Sequence, residues 1–252
     1  PSLPPFRTEV YVSGTEGYFA FRIPSLLVTS KGTLLAFAEG RKTSLADLGN
    51  NDMVLKRSSD GGKTWDPLQI IYDEGESTIG NPNPVVDRET GRVWLVFGRD
   101  ARHVMVMYSD DDGLTWSKPA DITDQVTKPE WKFYAVGPGI GIQLEHGKHK
   151  GRLVIPAYHR LTEHKGSSPY AHIFYSDDHG KTWTVPAADR GFSLDKSVYV
   201  YGIGTEMPDG SIFIVYYDPA GKQRKTAIWG LRVKIRADRQ GIELLPIEPA
   251  KK

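Results

Sequence analysis

The sequence predicts an all-β fold, a β-propeller of four-stranded antiparallel blades, on two observations. Short apolar runs recur along the chain between clusters of Gly, Asp and Asn, in about four units of about four strands. A turn of similar sequence also recurs, as SSDGGKTW at 58–65, SDDDGLTW at 109–116 and SDDHGKTW at 176–183. Because no segment has the 3.6-residue periodicity of a long helix, we expect residues 1–252 to form a single propeller domain.

Composition and charge narrow the function classes. The 252 residues include 26 Gly and 17 Pro, which suits a turn-rich β protein with a sizeable core. The net charge of +1 gives no electrostatic argument for nucleic acid or an acidic membrane surface. No run of 18 apolar residues exists, so we expect no membrane span. The absence of cysteine excludes disulfides and thiolate metal sites and leaves the compartment open.

The strands of the four units can be read from the apolar runs. The predicted strands of the first two units are IPSLLVT, TLLAFAE, DMVLKRS and LQIIYD, then NPVVD, RVWLVFG, HVMVMYS and a tail near Ala120. Those of the last two are IGIQLE, RLVIPAY, AHIFYS and a tail near Val185, then VYVYG, SIFIVYY, AIWGLRVKI and IELLPI. The fourth unit lacks the repeated turn, and TEVYVS (8–13) is a candidate to complete it as an outer strand.

The repeated turn fits S-x-D-x-G-x-T-W in all three copies. Its Asp and Ser/Thr side chains can bond backbone groups within the turn, its Gly permits a positive φ, and its Trp can fill the space between blades. A calcium loop is the alternative, but the ligand Glu expected at the twelfth position is missing. We therefore interpret the turns as folding devices on the outer rim, and the sequence indicates no metal site and no cofactor.

Three features stand apart from the strand rhythm. Arg22, in FRIP at 21–24, begins an inner strand, where a guanidinium is costly to bury unpaired. It could receive a carboxylate at the propeller centre, or it could bridge to a neighbouring blade. The second feature is the loop with Arg41, Asp47 and Asp52, in which Asp47 is a candidate general acid and a solvated surface loop is the alternative. The third is Tyr201 in YVYG, whose alternative role is packing within a strand.

Together these residues resemble the sialidase (neuraminidase) family. FRIP is a motif of that family, and its Asp boxes match the three turns. The spacing from Arg41 to Asp47 matches the family's arginine and its general acid/base aspartate. Tyr201, followed by Asp209-Gly210 and IFIVYYD, resembles the family's closing segment. The resemblance covers roughly residues 18–235.

The resemblance implies an exo-α-sialidase, a glycoside hydrolase that releases terminal sialic acid from glycoconjugates with retention through a tyrosine nucleophile. Asp47 and Tyr201 would be the catalytic pair. Arg22 would hold the substrate carboxylate, Arg41 the O4 and carboxylate side, and Asn81 the region over O4 and the N-acetyl group. The partner implied is a sialylated glycan, and the expected location is extracellular or periplasmic.

The sequence departs from the family in length. Family members are six-bladed, and two blades are expected to be missing between Asp189 and Val198, with the glutamate partner of the tyrosine and the second and third arginines. Candidate replacements for the arginines are Arg224, Arg232 and Arg236, of which the last two are better read as solvated strand residues. The stretch from Trp131 to Tyr134 could contact an acyl group. The alternative function is a catalytically inactive or truncated sialidase-like propeller that binds glycans or acts as a scaffold.

Overall fold

Antiparallel β-sheets make up almost all of the described chain. The structure is a computed structural model, and it describes residues 8–137, 139–163, 170–186, 203–207, 209, 211–218, 227–235 and 242–245. The strands form four sheets of four strands, and successive long strands pair antiparallel. The predicted all-β fold of four-stranded antiparallel units is confirmed.

The sheets follow one another along the chain. The first contains β1 (Ala20–Val28), β2 (Leu34–Arg41), β3 (Asn51–Ser58) and β4 (Gln69–Tyr72). The second contains β5 (Ile79–Val86), β6 (Val93–Arg99), β7 (His103–Ser109) and β8 (Ala120–Asp121), and the helix α1 (Thr123–Val126) follows it. The third contains β9 (Phe133–Val136), β10 (Ile142–Gln143), β11 (Leu153–Arg160) and β12 (Tyr170–Ser176). The fourth contains β13 (Ile203–Glu206), β14 (Ile212–Asp218), β15 (Ala227–Ile235) and β16 (Ile242–Leu245).

Two apolar cores hold the first three sheets together. Alternate residues of each strand share a face, so one face of the first sheet supplies its apolar side chains to the second sheet. Fully buried members of this first core are Leu35, Phe37, Leu55, Leu95 and Phe97. Those of the core between the second and third sheets include Val96, Val104, Val136, Ile155 and Phe174. Each such side chain stabilises the fold by about 1.5–3 kcal/mol relative to exposure.

The three repeated turns have the internal hydrogen bonds predicted from their sequence. In the first copy, the carboxylate of Asp60 accepts the backbone N–H groups of Lys63 and Thr64 and the Thr64 hydroxyl, the last at 2.7 Å. The copies repeat this pattern at Asp111 and Asp178. The glycines at the fifth position of the turn, Gly62, Gly113 and Gly180, have φ between +81° and +85°. These bonds support the interpretation of the turns as folding devices.

The tryptophans of the second and third turns pack against the preceding sheet. Trp116 lies edge-on to Phe37 of the first sheet, with ring centroids 5.7 Å apart. Trp183 lies edge-on to Trp94 of the second sheet at 6.3 Å. The predicted filling of the space between blades by Trp is therefore confirmed for these two copies.

The predicted contribution of residues 8–13 to the fourth sheet is wrong. These residues form no strand, and the fourth sheet has its own outermost strand, β16. Tyr11 instead packs on the first sheet, where its ring contacts Phe21 and its hydroxyl donates to the carbonyl of Ala36 at 2.7 Å.

In the described part of the chain, no helix has the length and apolar character that crossing a bilayer requires.

Candidate active site

Strand register places three charged side chains on one face of the first sheet. Arg22 of β1 lies directly opposite Glu39 of β2, and directly opposite residues of antiparallel strands point to the same face. Arg41 follows Glu39 by two positions, so it shares this face. The same face carries the apolar residues that contact the second sheet. The charged end of the face is therefore continuous with the packing between the first two sheets.

A bulge in β1 sets the position of Arg22. The register of β1 against β2 shifts between Arg22 and Ser25, and Ile23 between them has a φ of +50°. Positive φ is strained for a β-branched residue, and such strain often accompanies a functional position. The side chain of Arg22 is 38% exposed, and its Nη1 donates to Asp47 Oδ1 at 2.9 Å. Arg22 thus binds Asp47 in a loop of its own sheet, so the predicted alternative of a bridge to a neighbouring blade is not what the structure has.

Asp47 lies in the loop of residues 42–50 that joins β2 to β3. Its carboxylate is 81% exposed, although Oδ1 is within hydrogen-bonding distance of both Arg22 and Arg41. The two Arg41 nitrogens approach it at 3.3 and 3.2 Å. The structure therefore brings together Arg22, Arg41 and Asp47, the three residues of the predicted site that lie in the first sheet and its loop.

The guanidinium of Arg41 is buried and fully used by protein groups. Nη1 donates to the carbonyls of Leu45 and Ala46 at 2.6 and 2.7 Å, in the loop just before Asp47. Nε and Nη2 donate to one carboxylate oxygen of Glu39 at 3.0 and 2.6 Å. Only 2% of the Arg41 side chain is exposed. Arg41 therefore connects the loop of residues 42–50 to the sheet by hydrogen bonds.

Glu39 is the functional candidate that sequence reasoning missed. Its carboxylate is buried, and burial raises its pKa, against the opposing effects of the Asn81 N–H and of Arg41. Oε2 accepts from Arg41, and Oε1 accepts the backbone N–H of Asn81 in the second sheet at 2.9 Å. A glutamate in the otherwise apolar run TLLAFAE, two residues before an arginine, was the available signal.

Asn81 lies in a second bulge, at the matching place in β5. The register of β5 against β6 shifts between Gly80 and Asn83, and Asn81 has a φ of +56°. Gly80 corresponds to Arg22 in this alignment of the two bulges. A Cβ on Gly80 would lie 2.4 Å from Glu39 Oε1, so only glycine leaves room for the buried carboxylate. The structure thus places the Asn81 backbone in contact with Glu39, and Glu39 in turn contacts the Arg41 guanidinium.

Asp52, which the sequence grouped with Arg41 and Asp47, belongs to a different cluster. It is fully buried in β3 and lies opposite Gly40, on the other face of the sheet. Its carboxylate accepts the Tyr18 hydroxyl at 2.6 Å and lies 3.1 Å from Lys42 Nζ. Burial raises the pKa of Asp52 and of Tyr18. This cluster lies on the opposite face of the first sheet from Glu39 and Arg41, and Asp47 is not one of its members.

The stretch from Trp131 to Tyr134 lies at the third sheet. Trp131 stacks on the ring of His159, with centroids 3.8 Å apart and an interplanar angle of 9°. Tyr134 is buried, and its hydroxyl lies 3.0 Å from His172 Nε2. The aromatic cluster is therefore packed around two histidines. Its contact with an acyl group stays a prediction.

Tyr201, Arg224 and Arg236 lie outside the described residues. Arg232 is described, and its guanidinium pairs with Asp209 at 2.6 Å and donates to the Ser211 hydroxyl at 2.8 Å. Among the described residues, no group of three or more His, Asp or Glu side chains is arranged to hold a metal ion.

A cavity among the described residues is separate from these charges. Its volume is about 350 Å³, and it lies at the other end of β1, with Leu26 and Val28 on one wall and Ile140 and Ile142 on another. None of the residues named above for the charged cluster lines it. The charged cluster is the candidate site because of its chemistry, which combines two arginines with an exposed carboxylate.

The chain is similar to a known family and to several known proteins. The family described as "BNR repeat-like domain" matches residues 32–207. A sialidase of Bacteroides fragilis (strain YCH46) is 34% identical over 247 residues, which cover 86% of this chain and 43% of that protein. A sialidase of Micromonospora viridifaciens is 33% identical and covers 90% of this chain and 38% of its own length. The chain thus spans less than half the length of these curated relatives.

Solved structures show the same architecture. The Hadza microbial sialidase Hz136 superposes with a TM-score of 0.72 at 27% identity, over 92% of this chain and 48% of the other. The intramolecular trans-sialidase from Ruminococcus gnavus gives a TM-score of 0.74 over 95% of this chain and 73% of the other. Its 20% identity supports the fold alone. The propeller part of the fold prediction is confirmed by these neighbours.

Proposed function

The chain belongs to the sialidase family of BNR-repeat proteins, and we propose that it acts as an exo-α-sialidase, releasing terminal sialic acid from glycoconjugates. The observation that carries this proposal is the convergence of Arg22 and Arg41 on the exposed carboxylate of Asp47, at 2.9 to 3.3 Å. Two cations beside one solvent-facing acid suit a substrate that carries a carboxylate next to the bond to be broken. The relatives named as sialidases support the same class of substrate.

Arg22 is proposed to receive the substrate carboxylate. Its guanidinium is partly exposed and has a single exposed partner, Asp47, among its described hydrogen bonds. The substrate carboxylate can take the place of the Asp47 carboxylate on Arg22. That exchange would release Asp47 to face the glycosidic oxygen.

Asp47 is proposed as the general acid and then the general base. It would donate a proton to the glycosidic oxygen as the bond to the aglycone breaks, and later accept a proton from the attacking water. Asn81 is proposed to border the sugar near O4 and the N-acetyl group. A direct role of Arg41 in holding the sugar stays a prediction, and it would require one of the present hydrogen bonds of Arg41 to be exchanged.

Tyr201 is proposed as the nucleophile, on the strength of the sequence resemblance. Its phenolic oxygen would bond to the anomeric carbon while the aglycone leaves, and water would then displace it, so the configuration is retained overall. A phenol has an ordinary pKa near 10, so its proton must pass to a base. In six-bladed relatives a glutamate takes that proton, and the equivalent segment is not recognisable in this sequence.

Time-resolved NMR of sialoside hydrolysis tests this function. We expect the α-anomer of sialic acid to appear first, and we expect Asp47→Ala and Tyr201→Phe to lower turnover by at least about 100-fold. Tyr199→Phe, two residues from the proposed nucleophile, is the matched control. Turnover by the natural sequence that does not exceed that of the Asp47 and Tyr201 variants would refute the activity, and a β-anomer formed first would refute the tyrosine nucleophile.

A further inference from the structure

We propose that Glu39 is a positioning residue for the acid loop, acting on Asp47 through Arg41 while it anchors Asn81 of the second sheet. This inference rests on the proposed function for its kinetic consequence. Its structural part, the fixing of residues 42–50 by Glu39, does not depend on activity.

Arg41 holds the loop of residues 42–50 only if its own orientation is fixed. Its Nη1 reaches two loop carbonyls at 2.6 and 2.7 Å, and both Nη atoms approach Asp47. The guanidinium is planar and rigid, so fixing one edge fixes the direction of the others. Glu39 binds the Nε–Nη2 edge at 3.0 and 2.6 Å. Glu39 therefore sets the plane in which Arg41 meets the loop.

Glu39 is bound on both carboxylate oxygens by groups from different sheets. Oε2 takes the Arg41 edge, and Oε1 takes the Asn81 N–H across the boundary between the sheets. Asn81 has positive φ, a conformation that its surroundings must hold in place. One buried carboxylate thus fixes the loop that carries the acid and the bulge that borders the sugar.

Burial of the Glu39–Arg41 pair is unfavourable unless the pair has a role beyond stability. Taking a carboxylate and a guanidinium out of water costs several kilocalories per mole, and apolar residues of similar volume would often serve stability as well. The neighbouring position leaves room for the carboxylate, because Gly80 has no side chain. The buried pair and the space left by Gly80 therefore favour a role of Glu39 in positioning Asp47 over a role in stability alone.

Hydrogen exchange of the acid loop tests the structural part. In Glu39→Gln the loss of charge weakens the hydrogen bonds to Arg41, which then holds the loop less firmly. Backbone amides of residues 42–50, including Ala46 and Gly49, should therefore exchange on the order of tenfold faster. Asp87→Asn is the matched control, because Asp87 is also a fully buried carboxylate with several donors, but lies just after β5, outside residues 42–50. Faster loop exchange in Glu39→Gln alone supports the inference, and equal exchange in both variants overturns it.

Leaving-group dependence tests the kinetic part. Sialyllactose has a poor alcohol leaving group and needs the acid, whereas a 4-nitrophenyl sialoside does not. We expect Glu39→Gln to lower kcat/KM about 10- to 100-fold on sialyllactose and less than about threefold on the nitrophenyl substrate. Glu39→Asp, which keeps the charge, should recover part of the loss.

The outcomes separate the two proposals. Equal losses on both substrates would overturn the positioning role, because a general structural defect does not distinguish leaving groups. No turnover of either substrate by the natural sequence would refute the proposed function instead. In that case the exchange comparison still decides whether Glu39 holds the loop.

Discussion

Removing the carboxylate of Asp47 should strengthen the binding of a sialic acid analogue while it abolishes acid catalysis. Asp47 Oδ1 occupies Arg22 at 2.9 Å, so a ligand carboxylate must displace it. The pair is exposed, at 38% and 81% for the two side chains, and such pairs contribute about 0.2–1 kcal/mol. Since 1.4 kcal/mol corresponds to a factor of ten, Asp47→Asn should lower the Kd about 1.4- to 5-fold.

Calorimetric titration with 2,3-didehydro-2-deoxy sialic acid measures this effect at low ionic strength. Asp66→Asn is the control, since Asp66 is another exposed carboxylate paired with an arginine, Arg57, and its loss changes the net charge equally. The gain should shrink with added salt, because the Debye length falls to about 10 Å at 0.1 M. Weaker binding by Asp47→Asn than by the control would refute the competition, since it would mean that Asp47 favours the bound ligand.

Three further predictions concern stability. Gly80→Ala should destabilise the protein by about 1–3 kcal/mol in urea unfolding, because its Cβ would lie 2.4 Å from Glu39 Oε1, whereas Gly98→Ala, whose Cβ meets its nearest atom at 3.7 Å, should change little. Arg41→Lys should cost roughly 3 kcal/mol, because an ammonium cannot serve Glu39 and the loop carbonyls together, and an unchanged urea midpoint would contradict this. At Asp111, desolvation raises the pKa, but hydrogen bonds within its turn outweigh it and hold the pKa at about 2, below the ordinary value of 3.8. Its stabilisation is therefore complete above about pH 4 and is lost as the pH falls toward 2, so Asp111→Asn should flatten the fall of the urea midpoint between pH 5 and 3; a slope equal to that of the natural sequence would contradict this.

Local chemistry made much of the fold predictable. The turn sequence specifies its own bonds, because Asp60 and its counterparts contact groups only two to four residues away. The alternation of apolar residues then specifies which face of each strand is buried. The completion of the fourth sheet was mispredicted because strand partners depend on the rest of the fold. TEVYVS has a strand-like pattern, yet Tyr11 is held by the carbonyl of Ala36 in the first sheet.

The candidate site was predictable only in part, for a similar reason. Arg22, Arg41 and Asp47 stand within 26 residues of one another, and motif spacing found them. Glu39 has a sequence signal in its place two residues before Arg41, but its second partner, the backbone N–H of Asn81, lies 42 residues away and cannot be read from a sequence pattern. Asp52 was misplaced because strand alternation, not loop membership, decides its face.

The charge arrangement suits Asp47 to the proposed role of general acid, although Asp47 lies in a loop. Loops are less constrained than strands, yet a general acid must be held close to its proton acceptor. In this structure the loop is constrained by Arg41, which is buried in the sheet and donates hydrogen bonds to the loop carbonyls of Leu45 and Ala46. Glu39 neutralises that cation from within and leaves the carboxylate of Asp47 in solvent. The position of Asp47 therefore depends on how the first sheet packs against the second, because Glu39 joins Arg41 to the backbone of Asn81.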